Sequence, residues 1–295
     1  MNYICSTTSL LPAGADPDGL EADQGRAMTA LEIRPLSQVV GAEVSGMDFS
    51  TPADGENTER ILEAFRQYDL LLFRNTSLTV EEQARFGRLF GKITVRGDYK
   101  PNEFPDTQHI SNTRDDGMLG DGELKFHCDQ LFYPDPLSAL MLYAIEVPDS
   151  GGETLYCNTY LALKRLTPEM QEKLRGYTCR HAYDYKGNLA DANFSRNAGA
   201  NSPSYVHPMV WTNPATGREA IWIGQGSTHR VLELDPAESD TALDQVKGLL
   251  YRQENIYTHR WKIGDLLIWN NRTLQHARTP FDSRQARTLR RTPIL

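Results

Sequence analysis

Beyond about residue 30 the chain is dominated by short apolar runs bounded by Gly, Pro, Asn and Asp, with helical spacing confined to a few stretches. The runs "DLLLFRN" (69–75), "SALMLYAIEV" (138–147), "SYVHPMVW" (204–211), "EAIWIG" (219–224) and "GDLLIWNN" (264–271) read as strands, and "NPATG" (213–217) predicts a hairpin turn between two of them. In "TERILEAFRQ" (58–67), Ile61, Leu62 and Phe65 fall on one helical face. Thr79 and Glu82 form a capping box for a helix through Phe86, Leu89 and Phe90 that stops at Gly91. Thr167 followed by Pro168 opens another helix, which runs to Gly176, and helical spacing recurs at Leu243, Val246 and Leu250. Many short strands with a few helices predict a mainly β fold with helical additions, a sandwich or jelly roll.

Two segments lack any period. Residues 1–27, ending "GADPDGLEADQGRA", carry too little apolar surface to offset ordering entropy and read as a flexible leader to a single domain over 28–295. Residues 186–203, "KGNLADANFSRNAGANSP", read as a long loop, expected to act as a substrate lid. The segment "TRDDGMLGDGEL" (113–124) is expected to border the pocket.

Acidic residues outnumber basic ones by 39 to 31, so the net charge of −8 offers no general attraction for phosphate backbones or anionic lipid. Nucleic acid and membrane surfaces are excluded as partners on that ground. No apolar run approaches the roughly 20 residues that span a bilayer, and the N-terminus lacks the basic start and long apolar stretch of a secretory signal, which predicts a cytoplasmic protein. Cys5, Cys128, Cys157 and Cys179 contain no C-x-x-C spacing and read as reduced core residues.

Candidate chemistry starts at "KFHCDQ" (125–130). In a strand His127 and Asp129 project from one side and Cys128 from the other, which suits chelation. With a second imidazole from elsewhere, such a pair makes the two-histidine, one-carboxylate face that leaves open positions on Fe(II). Spacing alone is weak evidence, because roughly one H-x-D/E arises by chance in a chain of this makeup. Context comes from residues 259–291, where His276 follows an apolar strand and a polar Asn270-Asn271-Arg272 corner. Arg287 lies 11 residues beyond His276 and Arg291 four beyond that. On a strand these two guanidiniums share a face while Arg290 points elsewhere, and two cations beside a metal pocket call for two anions. A solvated basic face is the competing reading.

These blocks together resemble the taurine dioxygenase and 2,4-dichlorophenoxyacetate dioxygenase family of Fe(II)- and 2-oxoglutarate-dependent oxygenases. "FHCDQLFYPDPLSALMLYAIEVPDSGGETLYCNTYLAL" is similar to the family's H-x-D segment and its G-G-x-T continuation, with Asp135 replacing one Pro of a pair. "HPMVWTNPATGREAIWIG" and "HRWKIGDLLIWNNRTLQHAR" are similar to its later blocks. The resemblance implies a double-stranded β-helix, with His127, Asp129 and His276 holding iron, and O2 and 2-oxoglutarate as co-reactants. It further implies that Thr154 and Arg287 bind 2-oxoglutarate and that Arg291 meets an acidic group on a small substrate such as a sulfonate, an aryloxyalkanoate or an amino-acid-like carboxylate. Hydroxylation is the implied outcome, with desaturation, epoxidation or ring closure as variants, and dimers or tetramers the implied assembly. Asp129, where related halogenases have Gly or Ala, speaks against halogenation. Asn112 is a further substrate-binding candidate, with Tyr183 and Trp211 behind it, while His207 and His259 are expected to be structural. A zinc hydrolase and a non-catalytic cupin-like binding protein are the alternatives.

Overall fold

The computed structural model describes residues 30–95, 105–183 and 201–295. The expected leader, Cys5 and most of the expected lid at 186–203 lie outside the described residues. The first elements in chain order are β1 (Glu32–Pro35), β2 (Ala42–Ser45), α1 (Gly55–Tyr68), β3 (Leu70–Phe73), α2 (Val80–Gly87), β4 (Gln108–Ser111) and β5 (Gly117–Met118). The middle of the chain gives β6 (Leu124–His127), β7 (Ala139–Glu146), β8 (Thr154–Asn158), α3 (Thr159–Lys164), α4 (Pro168–Arg175), β9 (Thr178–Ala182), β10 (Ser204–Pro208), β11 (Val210–Thr212) and β12 (Glu219–Ile221). The remainder forms β13 (Thr228–Val231), α5 (Pro236–Leu250), β14 (Ile256–His259), β15 (Leu266–Asn270), β16 (Leu274–Arg278) and β17 (Thr288–Ile294).

An eight-stranded sheet runs β1-β2-β3-β15-β7-β17-β4-β5, and a four-stranded antiparallel sheet runs β14-β8-β16-β6. The central strands of the large sheet are apolar on both faces because both are covered. Leu71, Phe73, Met141, Leu266 and Ile268 pack under the helices with Ile61 and Phe86. The alternate residues Leu70, Leu72, Leu140, Leu142, Leu267 and Trp269 face Tyr156 and Leu274 of the small sheet. Each fully buried Leu contributes about 1.5–3 kcal/mol, so this inter-sheet layer is a main source of stability. Behind the small sheet, Cys157 and Ala277 pack on Leu163, Leu174, Val246 and Leu250 from three helices. This is the predicted double-stranded β-helix with helical additions.

Several local expectations are refined. The capping box at Thr79 and Glu82 forms, but α2 ends at Gly87, and Leu89 and Phe90 complete tight turns by bonding back to Phe86 and Gly87. Gly91, at φ 152°, is required by packing, since a Cβ there would lie 2.2 Å from the Leu295 carbonyl oxygen. "SYVHPMVW" is two strands in two sheets, with Met209 as the handover: its N–H donates to the Tyr177 carbonyl in the β10–β9 register, and its carbonyl accepts from the Trp222 N–H in the β11–β12 register. The "NPATG" turn joins β11 to β12 as expected, with Asn213 N–H donating to Arg218 O at 2.7 Å.

Candidate metal and anion site

Strands of both sheets converge on one partly buried group. His127 ends β6, and His276 stands opposite it on β16 in the antiparallel register. Asp129 lies just past the end of β6, so its position owes nothing to strand alternation. Instead Asn271 clamps it: its Oδ1 accepts from the Asp129 N–H at 2.9 Å, and its Nδ2 donates to the Asp129 and Leu137 carbonyls at 3.0 and 2.9 Å. Asn271 was legible only as part of a polar corner. Cys128 turns away into a small core with Leu131, Ala220 and Trp222.

Asp129 Oδ1 sits 3.2 Å from His127 Nε2 and 3.9 Å from His276 Nε2, and the three donor atoms lie within 4.8 Å of one another. His127 Nδ1 is 2.7 Å from the Lys125 carbonyl, which assigns it the proton and turns Nε2 toward the other two ligands. Burial opposes a charge on His127, but the hydrogen bond and charge of Asp129 prevail and raise its pKa. Burial and the neighbouring His127 push His276 down to about 3, so it stays neutral with a lone pair to give. For Asp129, burial favours the neutral form, yet the Arg291 guanidinium holds the carboxyl well below the usual range. Two imidazoles and an ionised carboxylate, with no thiolate among them, fit a divalent iron; the ion would replace the proton shared by His127 and Asp129.

Two chambers adjoin this group and share Leu119, Leu124 and Arg291 in their walls. The inner one is lined by Thr154, Arg287, Arg278, Leu142 and Trp269 together with the three candidate ligands. The outer one, of about 860 Å³ including its mouth, is lined by Met118, Leu119, Lys125, Phe132, Tyr183 and Arg291 beside His127 and Asp129. In the inner chamber Arg287 is only 3 % exposed, and its Nε donates to the Gly152 carbonyl at 3.2 Å. Among the described residues no carboxylate pairs with it, and burial lowers its pKa to about 9. Thr154 Oγ1 accepts from Trp261 Nε1 at 2.9 Å, which leaves the hydroxyl proton available to a ligand.

Arg291 faces the same side as Arg287, as the even spacing predicted, and Arg290 points away to Gln83 and the Leu78 carbonyl. Arg291 is not a bare cation, however: Nη2 donates to Asp129 Oδ2 at 2.5 Å and Nη1 to Gln108 Oε1. Asn112 is corrected. Its Nδ2 donates to the Ser283 and Gln285 carbonyls and its Oδ1 accepts from the Arg287 N–H, so it staples the turn before β17 and does not line either chamber. Tyr183 stacks on Phe132 in the outer wall, whereas Trp211 stacks on Trp222 away from it. His259 is fully buried 3.1 Å from Asp265, and His207 bonds to the Tyr133 carbonyl, as structural residues do.

Residues 32–292 match the family model described as "Taurine catabolism dioxygenase TauD, TfdA family". The chain is 29 % identical over 269 residues to an (S)-phenoxypropionate/alpha-ketoglutarate-dioxygenase of Sphingobium herbicidovorans, covering 88 % of this chain and 93 % of that one. It is 31 % identical over 281 residues to pentalenolactone F synthase of Streptomyces arenae, covering 88 % and 94 %. The fold matches that of AAD-2 in complex with Mn(II) and N-oxalylglycine with a TM-score of 0.76 at 24 % identity, covering 90 % of this chain and 97 % of that one.

Proposed function

The chain belongs to the TauD/TfdA family and is an Fe(II)- and 2-oxoglutarate-dependent dioxygenase, and on that premise we propose that His127, Asp129 and His276 hold the iron while the outer chamber takes a small carboxylate or sulfonate. When bound, the iron supplies oxygen activation coupled to decarboxylation of 2-oxoglutarate to succinate and CO2. The chain's own residues do the rest. Arg287 receives the far carboxylate of 2-oxoglutarate as a two-pronged partner, and Thr154, its hydroxyl oxygen already satisfied by Trp261, donates its proton to that dicarboxylate. Asp129 presents Oδ1 to the metal while Arg291 holds Oδ2, which fixes the carboxylate's orientation. In the outer chamber the substrate's acidic group shares Arg291 with Asp129, Lys125 adds a second positive charge, and Met118, Leu119 and Phe132 cover its apolar part. Such a pose would leave the substrate's apolar part in the chamber that His127 and Asp129 also line, where hydroxylation of a C–H bond is the proposed outcome.

One observation carries this reading: a buried guanidinium without a counter-anion faces the same chamber as the three ligands. A zinc hydrolase has no use for it. Two relatives are named for the anionic compounds phenoxypropionate and 2,4-dichlorophenoxyacetate, and another for sulfate esters, which supports an anionic substrate here. The test is a titration of the protein with Fe(II) and 2-oxoglutarate under argon, followed by a screen of carboxylates and sulfonates for substrate-dependent succinate release. A visible charge-transfer absorption and at least one releasing compound are expected; a colourless protein overturns the assignment of the three ligands. Light scattering reads directly whether the chain assembles into the expected dimers or tetramers.

A further inference from the structure

Arg278 lies two residues beyond His276 on β16 and borders the inner chamber, but no ligand contact above is assigned to it. It is 4 % exposed. Its Nε donates to the Gly122 carbonyl at 3.0 Å, Nη1 to Gly120 at 3.0 Å, and Nη2 to Leu119 at 2.7 Å and also to Gly122. Every one of these acceptors is a backbone oxygen of the turn joining β5 to β6, and among the described residues no carboxylate pairs with the guanidinium. A buried cation bordering the inner chamber thus directs its hydrogen bonds to a piece of main chain, with the Asp121 carboxylate of the same turn favouring its charge.

That turn does little to hold itself. Leu119 has a φ of 60° and Gly120 one of 27°, a backbone shape that a leucine adopts only when its surroundings impose it. A Cβ placed on Gly120 or Gly122 would meet nothing within 4 Å, so packing does not fix these positions either. Yet the turn forms the wall between the chambers: Leu119 and Leu124 line both, and Met118 lines the outer one.

We infer that Arg278 is a positioning residue that hangs the Leu119–Gly122 turn from the strand carrying His276, and thereby sets the apolar wall against which the substrate rests. The guanidinium fork reaches three carbonyls at once, which a lysine ammonium on its flexible stem cannot reproduce. The part played by the wall rests on the proposed function; the anchoring of the turn does not.

The experiment compares the parent chain with Arg278→Gln and Arg278→Lys, using Mn(II) as the metal. Hydrogen exchange over residues 117–124 is expected to quicken about tenfold or more in both variants, with β7 and β15 unchanged. Because Arg278 also borders the inner chamber, 2-oxoglutarate binding is read separately by Mn(II)-dependent titration and is expected to weaken less than binding of the screened compound. With iron and a carboxylate or sulfonate found by the succinate screen, KM for that compound rises about tenfold or more while kcat moves less than about threefold, a split that general loss of stability would not produce. Unchanged exchange over 117–124, or KM values for 2-oxoglutarate and the screened compound that rise together, overturns the inference. Failure of the parent chain to bind 2-oxoglutarate instead sinks the functional reading, and the exchange result still decides the anchor.

Discussion

Arg287 pairs with no carboxylate among the described residues, although it is buried beside Leu142 and Trp269. Such a cation costs stability until an anion arrives, because removing charge from water is not repaid inside the protein. Arg287→Met is therefore expected to lower 2-oxoglutarate affinity by about 30-fold or more, the usual loss when one partner of a buried ion pair is removed. The same change should leave the melting temperature of the ligand-free protein equal to or above that of the parent. Anaerobic calorimetric titration reads the first effect and thermal unfolding the second; a variant that melts lower would show that Arg287 is already compensated. The even separation of Arg287 and Arg291 predicted that they share a side, and both line the inner chamber. Asn112 shows the limit of that reasoning: an Asn near the pocket in sequence offers no clue that its amide is consumed by the backbone of 283–287.

The connection between β7 and β8 shows what an element contributes. Gly151 and Gly152 have φ of 76° and 69°, and a Cβ on Gly152 would lie 3.0 Å from both Cδ and Nε of Arg287. The "GGET" segment is thus shaped to let the arginine side chain pass close over bare backbone on its way to the inner chamber. Gly152→Ala should displace Arg287, destabilise the fold by about 1–3 kcal/mol through strain, and raise the KM for 2-oxoglutarate more than that for the substrate. Steady-state kinetics with each varied in turn, alongside urea unfolding, gives both numbers. The starts of α2 and α4 were legible, since Thr79 and Thr167 cap through bonds to their own neighbours, whereas α1 and α5 begin earlier than the spacing showed, at caps on Asp54 and Asp235. The break at Pro208–Met209 and the six-residue α3 were not, because partners distant in sequence decide them.

Across the whole molecule, buried histidines make stability depend on acid. His181 is fully buried, bonded through Nδ1 to Thr228 at 3.1 Å, and burial pushes its pKa down to about 3 from an ordinary value near 6.5. Between those values the unfolded chain takes up a proton that the folded chain refuses, so stability is full above about pH 6.5 and declines as pH falls toward 3. His181→Asn is expected to flatten the dependence of unfolding free energy on pH between 6 and 4, by up to about 1.4 kcal/mol per unit, as measured by denaturant titration at each pH. An unaltered slope would place the acid sensitivity elsewhere.

The candidate iron ligands belong to the small sheet and its edge, whereas Arg287 and Arg291 come from the large one. A metal ion chelated by a dicarboxylate would therefore brace two layers otherwise joined by apolar contact and the Arg291–Asp129 pair, and part of the protein's rigidity would be borrowed from its small molecules. The ligand-free protein is therefore expected to open more often, and to be cut sooner by an added protease, than the protein holding metal and 2-oxoglutarate.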